Sequence, residues 1–277
     1  MGQEWEKGTE MTKGRYRGLD LAFDAGVATL TINRPDAGNA IDTETHESLE
    51  RVWPDLARQK DVRAIVLTGA GRTFSTGGDI KTMAARAGSD DGWDHLLGIG
   101  HAARRLMVGM LEVPQPIVAA VNGHATGLGA TLALAADVSV ISDAAKFGDT
   151  HVNVGLVAGD GGAIFWPLLI GPNRAKELLM RATLLRGGEA HALGLINHVA
   201  PAEQVLPMAQ AIAAELAAKP PLAVQWTKMT VNRGIRAQLE AVLEAGLAWE
   251  MLSMQSRDHG EAAKAIVEGR EPRFEGR

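Results

Sequence analysis

The stretch from residue 117 to residue 137, IVAAVNGHATGLGATLALAAD, constrains the fold of this chain more than any other. Its first five residues are apolar and read as a buried strand over 117–121. Asn122-Gly123 then turns the chain, and Gly127 and Gly129 open a helix that carries Leu132, Ala133 and Leu134. A strand feeding a glycine-rich helix start aims backbone N–H groups at a cavity, with the positive end of the helix dipole behind them. Such a place favours an oxygen that becomes negative. The glycine spacing matches neither a P-loop nor a GxGxxG fingerprint, so nothing here asks for a phosphate.

A second glycine cluster lies earlier, in Thr73-Phe74-Ser75-Thr76-Gly77-Gly78-Asp79-Ile80. It follows a strand expected over 64–68 and precedes another helical run. Two strand-to-helix junctions, each offering a bare N–H, suit an oxyanion hole for one thioester or ketone oxygen. Around them the chain alternates strands with helices. A hairpin is expected at 19–23 and 27–33, then a helix capped by Thr43, a polar insertion at 85–94, a helix at 93–111 and a strand at 138–142. This is the pattern of an α/β fold. From Gly161 onward only helices are expected, at 163–169, 174–181, 203–218, 222–232, 235–254 and 260–268, with a boundary near Pro201. The expected organisation is a loose arm (1–15), a core (16–200) and a helical C-terminal region (201–277).

Composition narrows the function. There are no cysteines, which removes disulfides, a thiolate nucleophile and thiolate metal sites. The net charge of −5 recommends no nucleic-acid partner. Residues 1–15 lack the apolar run of a signal peptide, and Asp137 interrupts the longest apolar stretch, so no membrane span and a cytoplasmic location are expected.

Asn33-Arg34-Pro35 with Asn39-Ala40, the loop from Phe74 to Ile80, the stretch from Asn122 to Asp137, and the tail DHGEAAKAIVEGREPRF together resemble the crotonase superfamily of enoyl-CoA hydratases and isomerases. The resemblance spans most of the chain. It implies a crotonase-like superhelix of ββα turns with a C-terminal helical region that assembles trimers or dimers of trimers. It also implies an acyl-CoA substrate that brings coenzyme A with it, so that no separate cofactor is expected. By motif position the oxyanion donors are the N–H groups of Gly78 and Leu128. Ala40, Thr76, Asp79, Ile80 and Gly127 then lie along the substrate, with Lys81 near the coenzyme A phosphates.

The acid and base positions depart from the hydratases. Thr131 and His151 stand where that resemblance places two glutamates, so two-glutamate hydration cannot run on these residues. Histidine titrates near neutrality and moves protons at working pH. His151 has Asp160 nine residues on, in GLVAGDGG. Asp160 has two readings, a partner that orients the ring or an N-cap for the helix after Gly161. The segment 147–167 is similar to the oxo-camphor hydrolase branch, which splits a carbon–carbon bond between two ketones with a His–Asp pair. Glu250 falls where that branch has an acidic site residue, although its long polar-faced helix makes a solvated carboxylate the simpler reading. The other histidines show no metal spacing, and no HExxH or GxSxG motif is present. Tyr16, the only tyrosine, lies near the loose start of the chain, so a mechanism that needs an active-site phenol is not expected.

Three functions remain. The first is an enzyme acting on an acyl-CoA through an enolate held by Gly78 and Leu128, with His151 moving the proton. The second is a hydrolase that cleaves a cyclic β-diketone. The third is a non-catalytic acyl-CoA binder.

Overall fold

The computed structural model describes residues 15–80, 82, 83 and 92–277. Most of the expected arm, Lys81 and most of the polar insertion lie outside the described residues. The chain opens on the expected hairpin, β1 (Leu19–Asp24) antiparallel to β2 (Val27–Ile32). Its two-residue turn, Ala25-Gly26, has positive φ at both positions, 45° and 83°, as a tight hairpin requires. Tyr16, the first residue of the expected core, is buried, and its hydroxyl donates to Asp55 Oδ2 at 2.5 Å.

Helix α1 (Thr43–Ala57) follows, capped not by Thr43 but by Asp42, whose Oδ1 accepts from Thr45 N at 2.9 Å. Next come β3 (Ala64–Gly69) and β4 (Thr73–Ser75), then helix α2 (Gly92–Glu112). Two more rounds repeat that order: β5 (Ile117–Val121), β6 (His124–Thr126) and α3 (Leu128–Ala135); then β7 (Val138–Ser142), β8 (Lys146–Gly148) and a 3₁₀ turn (His151–Val154). In each round the first strand joins one sheet and the second joins another. The result is a superhelix of ββα turns.

Two short strands were hidden by the helical reading beyond Gly161. β9 (Leu185–Arg186) and β10 (His198–Ala200) lie among α4 (Gly162–Ile170), α5 (Pro172–Met180) and α6 (Gly187–Ala192). The larger sheet runs β1-β2-β3-β5-β7-β10 and the smaller β4-β6-β8-β9. Pairing is parallel except at β1/β2 and β8/β9.

Side chains alternate between the faces of the large sheet. Ala64, Val66, Val118, Ala120 and Val140 point to one side, where Val205, Ala209, Ala213 and Ala217 of α7 (Ala202–Ala218) cover them. Spaced four apart, these four residues form one stripe, and three alanines in it let the helix lie close to the strands. Ile65, Leu67, Ile117, Ala119, Val121 and Ile141 point into the main core with Leu49, Trp53, Leu106 and Met107.

Helix α8 (Pro221–Met254) passes straight through Arg233-Gly234, where two helices had been expected. It buries Leu239, Leu243 and Leu247 and leaves Trp226, Val242, Trp249 and Leu252 exposed. Lys228 and Asn232 on α8 reach the main chain at the α2–β5 connection and the last turn of α2: Lys228 Nζ donates to Gln115 O at 2.9 Å and Asn232 Nδ2 to Leu111 O at 2.9 Å. Helix α9 (Arg257–Glu268) closes the fold. No helix among the described residues is long and apolar enough to cross a membrane.

Candidate active site

The early Asn-rich motif seats the first glycine loop. Asn39 is buried; its Nδ2 donates to Ala70 O at 2.9 Å and Thr73 O at 2.6 Å, and its Oδ1 accepts from Arg34 N at 2.9 Å. Ser75 Oγ donates to Asn39 O at 2.8 Å and accepts from Gly77 N at 3.1 Å. Ile41, just after Ala40, pairs with the loop through Ile41 N to Gly77 O at 2.7 Å. Asp79 belongs to this scaffold too: Arg34 Nη2 lies 3.6 Å from it, and its Oδ1 accepts from Thr82 N at 3.2 Å.

The two glycine loops meet. Gly77 has φ 82°, and a β-carbon there would lie 2.7 Å from Thr126 O and 3.1 Å from Leu128 N. Only glycine takes that backbone conformation and that closeness without strain. Thr126 Oγ1 donates to Thr76 O at 3.1 Å across the same seam. Among the described residues neither Gly78 N nor Leu128 N donates to a protein acceptor, and the N-terminus of α3 stands behind Leu128. Ile80 is half-buried beside this loop, while Lys81 falls outside the described residues.

His151 follows β8, and that strand is tied to the second loop by Gly127 N donating to Gly148 O at 3.1 Å. The ring is buried beside Gly127, where a β-carbon would come within 3.7 Å of Cε1 and 3.9 Å of Nε2. Three carboxylates surround it. Nδ1 is 2.8 Å from Asp149 Oδ1, Nε2 is 3.5 Å from Asp160 Oδ2, and Nε2 is 4.0 Å from Glu250 Oε1.

Asp160 is not a helix cap. Helix α4 begins after Gly161 with no side-chain capping bond, and Asp160 Oδ1 instead accepts from Thr131 Oγ1 at 3.4 Å. Glu250 is not solvated either: it is only 6% exposed. The face of α8 that carries it lies against the loop before Asp160, where a β-carbon on Gly159 would sit 2.3 Å from Gly246 O. Ser253 Oγ on α8 accepts from Val157 N at 3.2 Å, and His259 Nδ1 on α9 donates to Val154 O at 2.7 Å. The two C-terminal helices therefore grip the His151 turn and the Asp160 loop from one side.

The sequence reading missed Asp149. It is 1% exposed, and its Oδ1 also accepts from His151 N at 3.1 Å. A readable signal was present. An Asp just beyond a strand whose oxygen takes the N–H two residues on is an Asx turn, which aims the carboxylate at that residue.

Burial works against charge on the ring, but the Asp160, Asp149 and Glu250 carboxylates outweigh it and hold His151 well above its ordinary range. Burial raises Asp160 against the pull of His151. Burial, then the Asp160 charge, pushes Glu250 up to about 8. Asp149 moves the other way: burial opposes its charge, yet the His151 charge and hydrogen bonds hold it below the usual carboxylate range. At neutral pH the cluster therefore pairs a charged imidazole with an ionised Asp149 and a protonated Glu250. Asp149, His151 and Asp160 each place a possible metal-ligand atom within 4.8 Å of the others, but the Nδ1–Oδ1 hydrogen bond occupies one atom of two of them.

A buried, proton-holding side chain beside two glycine junctions on a ββα superhelix can be compared with known proteins. Residues 22–277 match the family model described as enoyl-CoA hydratase/isomerase. The chain belongs to the enoyl-CoA hydratase/isomerase family. It is 33% identical to the short-chain-enoyl-CoA hydratase of Clostridium acetobutylicum over 253 residues, covering 90% of this chain and 94% of that one. It is 31% identical to the 1,2-epoxyphenylacetyl-CoA isomerase of Escherichia coli, covering 92% and 97%. Among solved structures, an enoyl-CoA hydratase/isomerase from Mycobacterium paratuberculosis superposes with a TM-score of 0.85 at 35% identity, over 89% of this chain and 97% of that one.

Proposed function

We propose that this member of the enoyl-CoA hydratase/isomerase family acts on an acyl-CoA thioester, with His151 as the proton-transfer group in place of a glutamate. The observation that carries the reading is His151 Nε2 standing beside Gly127 at the oxyanion junction, with Nδ1 already engaged by Asp149. Relatives named as a hydratase and an isomerase of CoA thioesters support the substrate class.

The thioester oxygen accepts from Gly78 N–H and Leu128 N–H. As charge builds on that oxygen, the fixed donors and the dipole of α3 stabilise it without reorganising. The charged His151 ring gives a proton to carbon through Nε2 and, once neutral, takes one back, and Asp149 and Asp160 balance the imidazolium it starts from. Glu250, neutral below about pH 8, is a second proton donor at the same nitrogen. One enolate serves hydration, double-bond isomerisation and β-keto carbon–carbon cleavage; the acyl group decides among them.

A second reading is favoured by the same histidine. An imidazole among carboxylates, with no paired glutamates at Thr131 and His151, also suits water activation against a ketone, as in hydrolysis of a cyclic β-diketone. An acyl-CoA panel with mass-spectrometric product detection separates the two. The proposal expects turnover of at least one thioester, and a melting shift with coenzyme A worth about 2.7 kcal/mol at a hundred times its Kd. Turnover of a cyclic β-diketone with no response to any thioester or to coenzyme A overturns it in favour of the hydrolase.

A further inference from the structure

We propose that Asp149, not Asp160, is the residue that positions His151: it keeps the proton on Nδ1, leaving Nε2 as the nitrogen that exchanges protons and Asp160 on the reacting side of the ring. The inference deepens the proposed function and rests on it for the word reacting, but the assignment of the two nitrogens stands on geometry alone.

The distances are unequal in the way the two roles require. The Nδ1–Asp149 contact at 2.8 Å is a formed hydrogen bond, whereas Nε2–Asp160 at 3.5 Å and Nε2–Glu250 at 4.0 Å are not. Asp149 Oδ1 also accepts the backbone N–H of His151, so the carboxylate is fixed to the residue it orients by two bonds. Its other oxygen is wedged against the start of α4, where a β-carbon on Gly162 would lie 2.3 Å away. Asp149 cannot swing to another partner without moving that helix.

Asp160 is placed differently. It precedes α4 on a loop gripped by α8, and one of its oxygens already takes the Thr131 hydroxyl. Its other oxygen faces the nitrogen that lies beside Gly127, where the second oxyanion loop begins. A carboxylate there shares the mobile proton and does not fix the ring. Thr131 helps hold it, which gives a task to the residue standing where a glutamate was expected. Among the described residues the carboxylates that face the ring are Asp149 from the end of β8, Asp160 from the loop before α4, and Glu250 from α8, and the His46 charge acts in turn on Asp160.

The test needs no substrate. The full-length protein is labelled with ¹⁵N-histidine and titrated upward from neutral pH, and the His151 signals are assigned by their loss in His151→Gln. The inference expects Nε2 to lose its proton while Nδ1 keeps it. The reverse order overturns it; the titrated spectrum is that of the unaltered protein, and the variant serves only to assign it.

Kinetics on the thioester found active add a second readout. Asp149→Asn keeps an acceptor for the backbone N–H but removes the charge. It should lower kcat roughly 10²-fold, leave KM within about threefold, and move the basic limb of kcat/KM to lower pH. Asp160→Asn should lower kcat while Nδ1 stays protonated. An unchanged limb and kcat in folded Asp149→Asn overturns the positioning role. If Nδ1 holds its proton as expected but His151→Gln still turns over, the positioning is right and the proposed function is wrong.

Discussion

Helix α8 carries buried charge to the core at two places, and the two are built on opposite plans. Near its start Lys228 meets Asp137 at 2.7 Å, one cation to one anion. Both partners are otherwise satisfied: Asp137 accepts Ile117 N at 2.7 Å, and Lys228 donates to Gln115 O. Near its end Glu250 joins a cluster in which one imidazole faces three carboxylates, and Asp149 Oδ2 and Glu250 Oε2 have no hydrogen-bond partner among the described residues. The first arrangement is balanced and can only hold. The second carries an excess of negative charge that the fold relieves by keeping protons, on His151 and on Glu250. A balanced pair fixes a helix; an unbalanced buried cluster stores a proton where a substrate can use it.

The largest expected effect breaks the balanced pair. Lys228→Met leaves the part-exposed Asp137 without its cation and Gln115 O without its donor, and should destabilise the protein by about 2–3 kcal/mol, read by denaturant unfolding, while kcat per folded molecule stays unchanged. A loss of kcat in the folded fraction would mean that the two clusters are not independent. Adding Asp137→Leu should recover part of the stability, because the unpaired charge goes with it.

The next effect is of comparable size and opposite in sign. Glu250 has a folded pKa of about 8, above its unfolded value, so the native state holds a proton that the unfolded chain has released. Its contribution to stability therefore falls as pH rises from the ordinary glutamate range to about 8. Glu250→Gln removes that loss. The variant should match the unaltered protein near pH 4.5 and exceed it at pH 8.5 by an amount on the order of a few kcal/mol. His151, raised rather than lowered, contributes stability that is full below its unfolded pKa and lost as pH climbs through the folded one, and that slope should survive in the variant. Equal pH dependence in the two proteins would show Glu250 to be ionised.

These two clusters also mark how far the sequence could be read. The strands at Ile117–Val121 and Val138–Ser142 and both glycine junctions were legible, because buried strands and strand-to-helix glycines leave their mark within a few residues. His151 and Asp160 were legible from motif position. β9 and β10 were not: at two and three residues they exist only through their pairing with β8 and β7. Glu250 was misjudged because its burial depends on Gly159 and Gly246 meeting across 87 positions of chain. The sequence reading left a gap between helices at 222–232 and 235–254, at Arg233-Gly234. In the structure Gly234 is exposed and a β-carbon there would meet no described atom within 4 Å, so its weak helix propensity is tolerated in a helix held by packing on either side.

The central claim is that His151 moves a proton at the carbon next to a thioester. Hydrogen exchange at that carbon tests it most directly. The protein is incubated in deuterated water with the acyl-CoA that the panel identifies, and deuterium in the recovered thioester or product is read by mass spectrometry. With intact His151, deuterium should enter at that carbon, and in folded His151→Ala the rate should fall by roughly 10²–10⁴. Exchange at an undiminished rate without the imidazole would contradict the account.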